Sequence, residues 1–198
     1  MKIAILIRPN PNITKIVNFW KKKIKTSNKK FLYISDIPHL TLITTKIKKI
    51  DQIKKKINFF IKSQKDFNLR IKKTGYFSKD LVTGGDTPYF RIEYSKKLFN
   101  LQKELAELLK KCSKKKLELN LKGIYKKSQK KYGFPYIGDH WKPHISVCSV
   151  LDKINKIYLK KFLSLKINLY FKIGNIYLYK VVNNKLVYIK KFNFYEKD

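Results

Sequence analysis

Arginine is almost missing from this chain: Arg8, Arg70 and Arg91 are the only three in 198 residues, and lysine supplies the rest of its 47 basic side chains. Alanine is equally scarce, while Ile, Asn, Tyr and Phe are plentiful. AT-rich codons would produce this bias whatever the protein binds. The formal charge of +34 therefore permits a polyanionic partner such as nucleic acid without establishing one. Lysine is also the weaker residue for bidentate phosphate recognition. Cysteine is limited to Cys112 and Cys148, which form no CxxC pair and no disulfide framework, so a reduced, cytoplasmic setting is expected. No apolar run approaches the ~20 residues that span a bilayer. The run at 3–7 is too short for a signal-peptide core and is stopped by Arg8 and Pro9. No membrane partner is expected, and no low-complexity linker divides the chain.

One short pattern is present twice. Ile37-Pro38-His39-Leu40-Thr41-Leu42 and Lys142-Pro143-His144-Ile145-Ser146-Val147 both read Pro-His-apolar-hydroxyl-apolar, and they use two of the three histidines. Such alternation predicts strands, in which side chains i and i+2 share a face. His39 with Thr41, and His144 with Ser146, would each project from one strand while the apolar residues anchor it. Two imidazoles and two hydroxyls can perform acid–base chemistry on a phosphate without a metal. A single strand histidine is usually structural; the duplication favours function.

Around these motifs the periodicity predicts a strand over 2–7, then a helix from Asn12 as cap with Ile13, Ile16, Val17, Trp20 and Ile24 on one face. A short strand at 31–34, the first histidine strand over 38–45 and a helix over 48–63 follow. Phe67, Leu69 and Ile71 alternate as a strand reaching a loop at Gly75. Residues 81–82 form another short strand, and Gly84-Gly85-Asp86 is a turn that lacks phosphate-loop spacing. Next come a strand over 89–94 and a leucine-faced helix over 95–112 with Ser95 as cap. Residues 113–140 read as a long surface loop before the second histidine strand. A helix capped by Asp152 runs through 162, and a hairpin turns at Asn183-Asn184. The inferred fold is α+β: residues 1–198 form a single domain of two pseudo-symmetric lobes, each a mainly antiparallel sheet with outer helices, around a central cleft carrying both motifs.

Paired H-x-[ST]-apolar strands about 100 residues apart resemble the 2H phosphoesterase superfamily, including its 2′-5′ RNA ligase-like members, which act as RNA 2′,3′-cyclic phosphodiesterases. The resemblance extends over nearly the whole chain. It implies a bilobal fold, no metal or other cofactor, and hydrolysis of RNA ends or nucleotides bearing a cyclic phosphate. His39 and His144 would act as acid and base in an order left open, and Thr41 and Ser146 would hydrogen-bond the phosphate oxygens. Alternatives are a 2H enzyme for RNA 3′ ends or for 2′-5′ or cyclic oligonucleotides, RNA ligation, and a non-catalytic RNA-binding module. Tyr136 and Trp141, which with Phe134 precede the second motif, are candidates for stacking on a base. His140 lies in the loop without the motif. Cys148 borders the site or, more in keeping with its size, packs in the core. A zinc site from His39, His144 and Cys148 has no familiar ligand spacing. The lysine runs at 21–23, 54–56 and 114–116 read as solvated faces, and a monomer is expected.

Overall fold

Asn10 starts the first helix because its side chain accepts from the Ile13 amide at 3.0 Å and Pro11 occupies the first turn. In this computed structural model, which describes residues 1–34, 36–114 and 121–195, the cap is thus Asn10 rather than the expected Asn12. The chain forms β1 (Lys2–Ile7), α1 (Pro11–Lys25), the two-residue β2 (Phe31–Leu32), β3 (Leu40–Ile47), α2 (Ile50–Ile61), β4 (Phe67–Phe77), β5 (Thr87–Ile92) and α3 (Lys96–Leu109). It continues through β6 (Ser113–Lys114), α4 (Gly123–Tyr132), β7 (His144–Ser146), β8 (Ser149–Val150), α5 (Lys156–Leu163), β9 (Leu169–Ile173), β10 (Asn175–Val182) and β11 (Lys185–Asn193). Asn183 and Asn184 turn the last hairpin with φ of 48° and 61°, which asparagine tolerates better than most residues.

Nine strands join in one curled antiparallel sheet of order β11-β10-β1-β3-β7-β5-β4-β9, with β6 added to β3; β2 and β8 pair separately. The mixed α/β architecture agrees with the expected fold class, and the two lobes are halves of this sheet. They meet where Leu40 of β3 pairs with Ile145 of β7. Alternation assigns the faces. Ile3, Ile5 and Ile7 of β1 are buried in the main core with Ile13, Val17 and Ile24 of α1 and Leu98, Leu101 and Leu105 of α3. Ala4 and Leu6 point the other way, into a small cluster with Tyr179. That second face carries the histidines. A β-bulge follows from the β1–β3 register, which passes from Ile5↔Ile43 to Leu6↔Thr41 and leaves Leu42 as the extra residue. Leu42 and Ile43 are both buried as a result.

Four local expectations change. Within 113–140, the expected loop, the structure has β6, α4 closed by Gly133 at φ 75°, and a 3-10 turn at Gly138–His140; residues 115–120 lie outside the described residues. The buried face of α4 is Ser128, Gln129 and Tyr132, too polar to reveal a helical period. Gly75 ends no strand: β4 runs through it to Phe77. Residues 81–82 belong to a turn, where the Val82 amide donates to Asp80 Oδ1 at 2.9 Å. Finally, α5 is capped by Asn155, and Asp152 instead accepts from the Lys29 amide at 3.0 Å. Among the described residues no helix is long and apolar enough to cross a membrane.

Candidate active site

Pairing Leu40 with Ile145 in antiparallel register puts His39 across from Ser146 and Thr41 across from His144. The two motifs are therefore related by a local two-fold axis through that pair, and each histidine faces the other motif's hydroxyl. His39 immediately precedes β3 and His144 opens β7. Both rings are partly buried, as are Thr41 and Ser146, while the intervening Leu40 and Ile145 are fully buried anchors.

The rings are held identically. His39 Nδ1 lies 2.7 Å from Ile37 O, and His144 Nδ1 lies 2.6 Å from Lys142 O. A carbonyl only accepts, so each Nδ1 carries the proton and each Nε2 of the neutral ring is left as an acceptor. In both motifs the bonded carbonyl belongs to the residue before proline, which the pyrrolidine ring restricts to extended conformations. Neither Thr41 nor Ser146 uses its hydroxyl in a hydrogen bond among the described residues, so both can donate to a ligand.

Electrostatics break the symmetry. Burial lowers the pKa of His39 to about 4; its bond to Ile37 O opposes this, and the Lys21 and His144 charges add to it. Burial also lowers His144, but there the hydrogen bond to Lys142 O and the Asp80 carboxylate pull upward. His39 is thus the more firmly neutral of the two, while at His144 the Asp80 carboxylate opposes the lowering by burial.

Neither Lys21 nor Asp80 stood out in the sequence. Lys21 was expected on a solvated lysine face, yet it is 6% exposed, with Nζ donating to the carbonyls of Asp36 and, at 3.3 Å, Tyr33. It ties α1 to the segment that delivers His39, a segment in which Tyr33 holds φ at 62°. Burial lowers the Lys21 pKa, while the nearby Asp36 carboxylate opposes that shift. Asp80 accepts from the Val82 amide and, at 3.0 Å, from Thr87 Oγ1, which fixes the carboxylate at the start of β5. Two aromatic residues flank the second histidine: the Phe77 and Tyr89 rings lie 5.0 Å and 5.2 Å from the His144 ring.

The remaining expected residues separate. Tyr136 is half-buried against Phe134 and Tyr125, and burial, with the Asp80 carboxylate adding to it, raises the pKa of its phenol. Trp141 is 5% exposed and packs on Phe99, so its ring offers no face to a base. His140 turns away from the site, with Nε2 at 2.8 Å from Pro135 O and 3.1 Å from Ser128 Oγ of α4. Cys148 is fully buried in the main core, and burial raises its thiol pKa to about 12. Among the described residues no three His, Cys, Asp or Glu side chains are grouped to hold a metal ion.

A two-fold pair of His-x-hydroxyl strands thus stands at the centre of one curled antiparallel sheet. The family model of the 2′-5′ RNA ligase superfamily matches residues 14–185, and the chain belongs to that superfamily, whose members share the 2H phosphoesterase fold. Its structure is similar to TT0787 of Thermus thermophilus, with a TM-score of 0.68, 14% identity and 98% of each chain covered. It is also similar to LigT of E. coli complexed with 3′-AMP (TM-score 0.57, 14% identity, 98% of each chain). A third likeness is to Usb1 of Kluyveromyces marxianus (TM-score 0.52, 11% identity, 98% of each chain). Comparison with curated protein sequences finds no match.

Proposed function

We propose that this protein hydrolyses 2′,3′-cyclic phosphates of RNA ends or nucleotides by metal-independent acid–base catalysis. The observation that carries this reading is the two-fold arrangement of His39 and His144, each with Nδ1–H bonded to a carbonyl and Nε2 left for chemistry. The family supports phosphoester chemistry, and the LigT complex with 3′-AMP is a nucleotide complex of a protein with this fold.

His39, held neutral by burial and by the Lys21 charge, takes a proton from water at Nε2. The water oxygen forms the new bond to phosphorus. The bond from phosphorus to one ribose oxygen breaks, and His144 Nε2–H protonates that oxygen as it leaves. Asp80 and the phosphate itself favour the protonated form of His144 before the reaction. Thr41 and Ser146 donate to the non-bridging oxygens, whose charge grows in the transition state. Tyr136 is retained as a substrate-facing aromatic, whereas Trp141 is not, because its ring is buried.

The test is turnover of nucleoside 2′,3′-cyclic monophosphates and of a short RNA ending in a cyclic phosphate, measured in EDTA. His39→Ala and His144→Ala are each expected to lower kcat by about 10²–10⁴, the range of a positioned acid or base. Activity retained in both variants would sink the mechanism. Cleavage confined to 2′-5′ linkages or unmodified 3′ ends would move the assignment to another 2H substrate, and RNA affinity without turnover would leave a binding module.

A further inference from the structure

Arg91 of β5 pairs in register with His144 of β7 on one side and with Lys73 of β4 on the other. Cross-strand partners share a face at Cβ separations of about 5 Å, so the guanidinium rises from the catalytic face one strand from the histidine. The other two arginines are engaged. Arg8 lies 5.2 Å over the Tyr177 ring, and Arg70 stacks on Tyr170, bonds Asn168 at 2.8 Å and pairs with Glu93 at 3.5 Å. Arg91 is exposed and its side chain has no hydrogen bond or ion pair among the described residues, and the same holds for Lys73. Like charges directly opposite each other destabilise a sheet. Two unneutralised cations in register beside His144 therefore suit an anion that comes from outside. A chain that uses lysine almost everywhere places arginine here, where planar, bidentate contact with a phosphate is possible.

Next to these cations lies a built aromatic surface. The Phe77 and Tyr89 rings stack at 4.3 Å with 26° between planes, both partly exposed, with His144 at their edges. Tyr89 lies down across β4 because Gly75 is there: a Cβ at that position would come within 2.7 Å of the ring. Glycine inside a strand marks such a close approach.

We propose that the stacked Phe77–Tyr89 pair offers its outer ring face to the base carrying the cyclic phosphate while Arg91, supported by Lys73, holds the phosphodiester on that nucleotide's 5′ side. The preferred substrate is then an RNA end rather than a free nucleoside cyclic monophosphate, which lacks the second phosphate. This subsite deepens the cyclic-phosphate reading above and rests on it.

The experiment compares kcat/KM for adenosine 2′,3′-cyclic phosphate, its 5′-phosphorylated form and a dinucleotide ending in the same cyclic phosphate. Both 5′-extended substrates are expected to be preferred about 10- to 100-fold, the range of a hydrogen bond to a charged group. Arg91→Ala is expected to reduce that ratio to near 1, and Arg91→Lys to restore part of it. Tyr89→Ala is expected to weaken purine over pyrimidine preference. Lys103→Ala, an equal loss of charge on the exposed side of α3, should leave the ratio unchanged. Equal rates on all three substrates, or a ratio indifferent to Arg91, overturn the subsite while histidine-dependent turnover of the monophosphate still upholds the activity. If no substrate turns over, the activity fails and the subsite is read from binding. A dinucleotide 3′-phosphate should then bind at least about tenfold tighter to wild type than to Arg91→Ala, and equal affinity overturns the proposal.

Discussion

His39 and His144 occupy equivalent places in the sheet, and the charges around them differ. The Lys21 cation pushes His39 down and the Asp80 carboxylate pulls His144 up. A base must be neutral to accept a proton, so kcat/KM should rise with pH through the His39 pKa, near 4. An acid must be protonated, so activity should fall again as pH climbs through the His144 pKa, which lies below the ordinary imidazole value. Lys21→Met removes a cation and is expected to move the rising limb to higher pH. Asp80→Asn keeps an acceptor for the Val82 amide but loses the charge, so the falling limb should move to lower pH. A pH profile of kcat/KM for the three proteins checks both directions, and unmoved limbs would mean that neither charge acts on its histidine.

Elements position these residues through two devices in the strands. Gly75 leaves room for the Tyr89 ring over β4. Gly75→Ala is expected to displace the ring from Phe77 and His144, at a net cost of about 1–2 kcal/mol once the reduced freedom of the unfolded chain is counted. Urea unfolding measures that cost, and kcat/KM should fall with it. The second device is the bulge at Leu42. Gln102 of α3, fully buried, donates Nε2–H to Leu42 O at 3.1 Å and to Tyr136 O at 2.8 Å, and accepts from the Gly138 amide at 3.2 Å. It thereby links the bulge beside Thr41 to the segment leading into the second motif. Gln102→Leu removes the side-chain partner of one buried and two part-buried backbone groups and should cost about 2 kcal/mol in chemical denaturation. A variant as stable as wild type would show that water replaces those bonds.

At the scale of the molecule, charge works in opposite directions on folding and on binding. A net charge of +34 repels itself, and only a few ion pairs, such as Arg70–Glu93 and Lys172–Asp66, offset it among the described residues. Raising salt shortens the screening length from about 30 Å at 0.01 M to about 10 Å at 0.1 M. The melting temperature is expected to rise over that range, while affinity for an RNA end should weaken as counterion release loses its advantage. A melting temperature that falls with salt would mean that the ion pairs dominate.

The sequence alone determined the strands bearing His39 and His144, the three helices with clean apolar faces, and the Asn183-Asn184 hairpin. Each of these depends on local periodicity or turn chemistry that reads directly from neighbouring residues. Helix α4 escapes because polar Ser128 and Gln129 fill its buried face, and Gly75 reads as a loop because the room its missing side chain leaves serves a ring on another strand. Only the tertiary structure decided that Lys21 is buried near His39, that the Asp80 carboxylate acts on His144, that Arg91 stands beside it, and that Trp141 belongs to the core. Those relations join residues far apart in sequence through sheet register and helix packing, and no local pattern carries them. The motif supplied two equivalent histidines; the fold made them unequal.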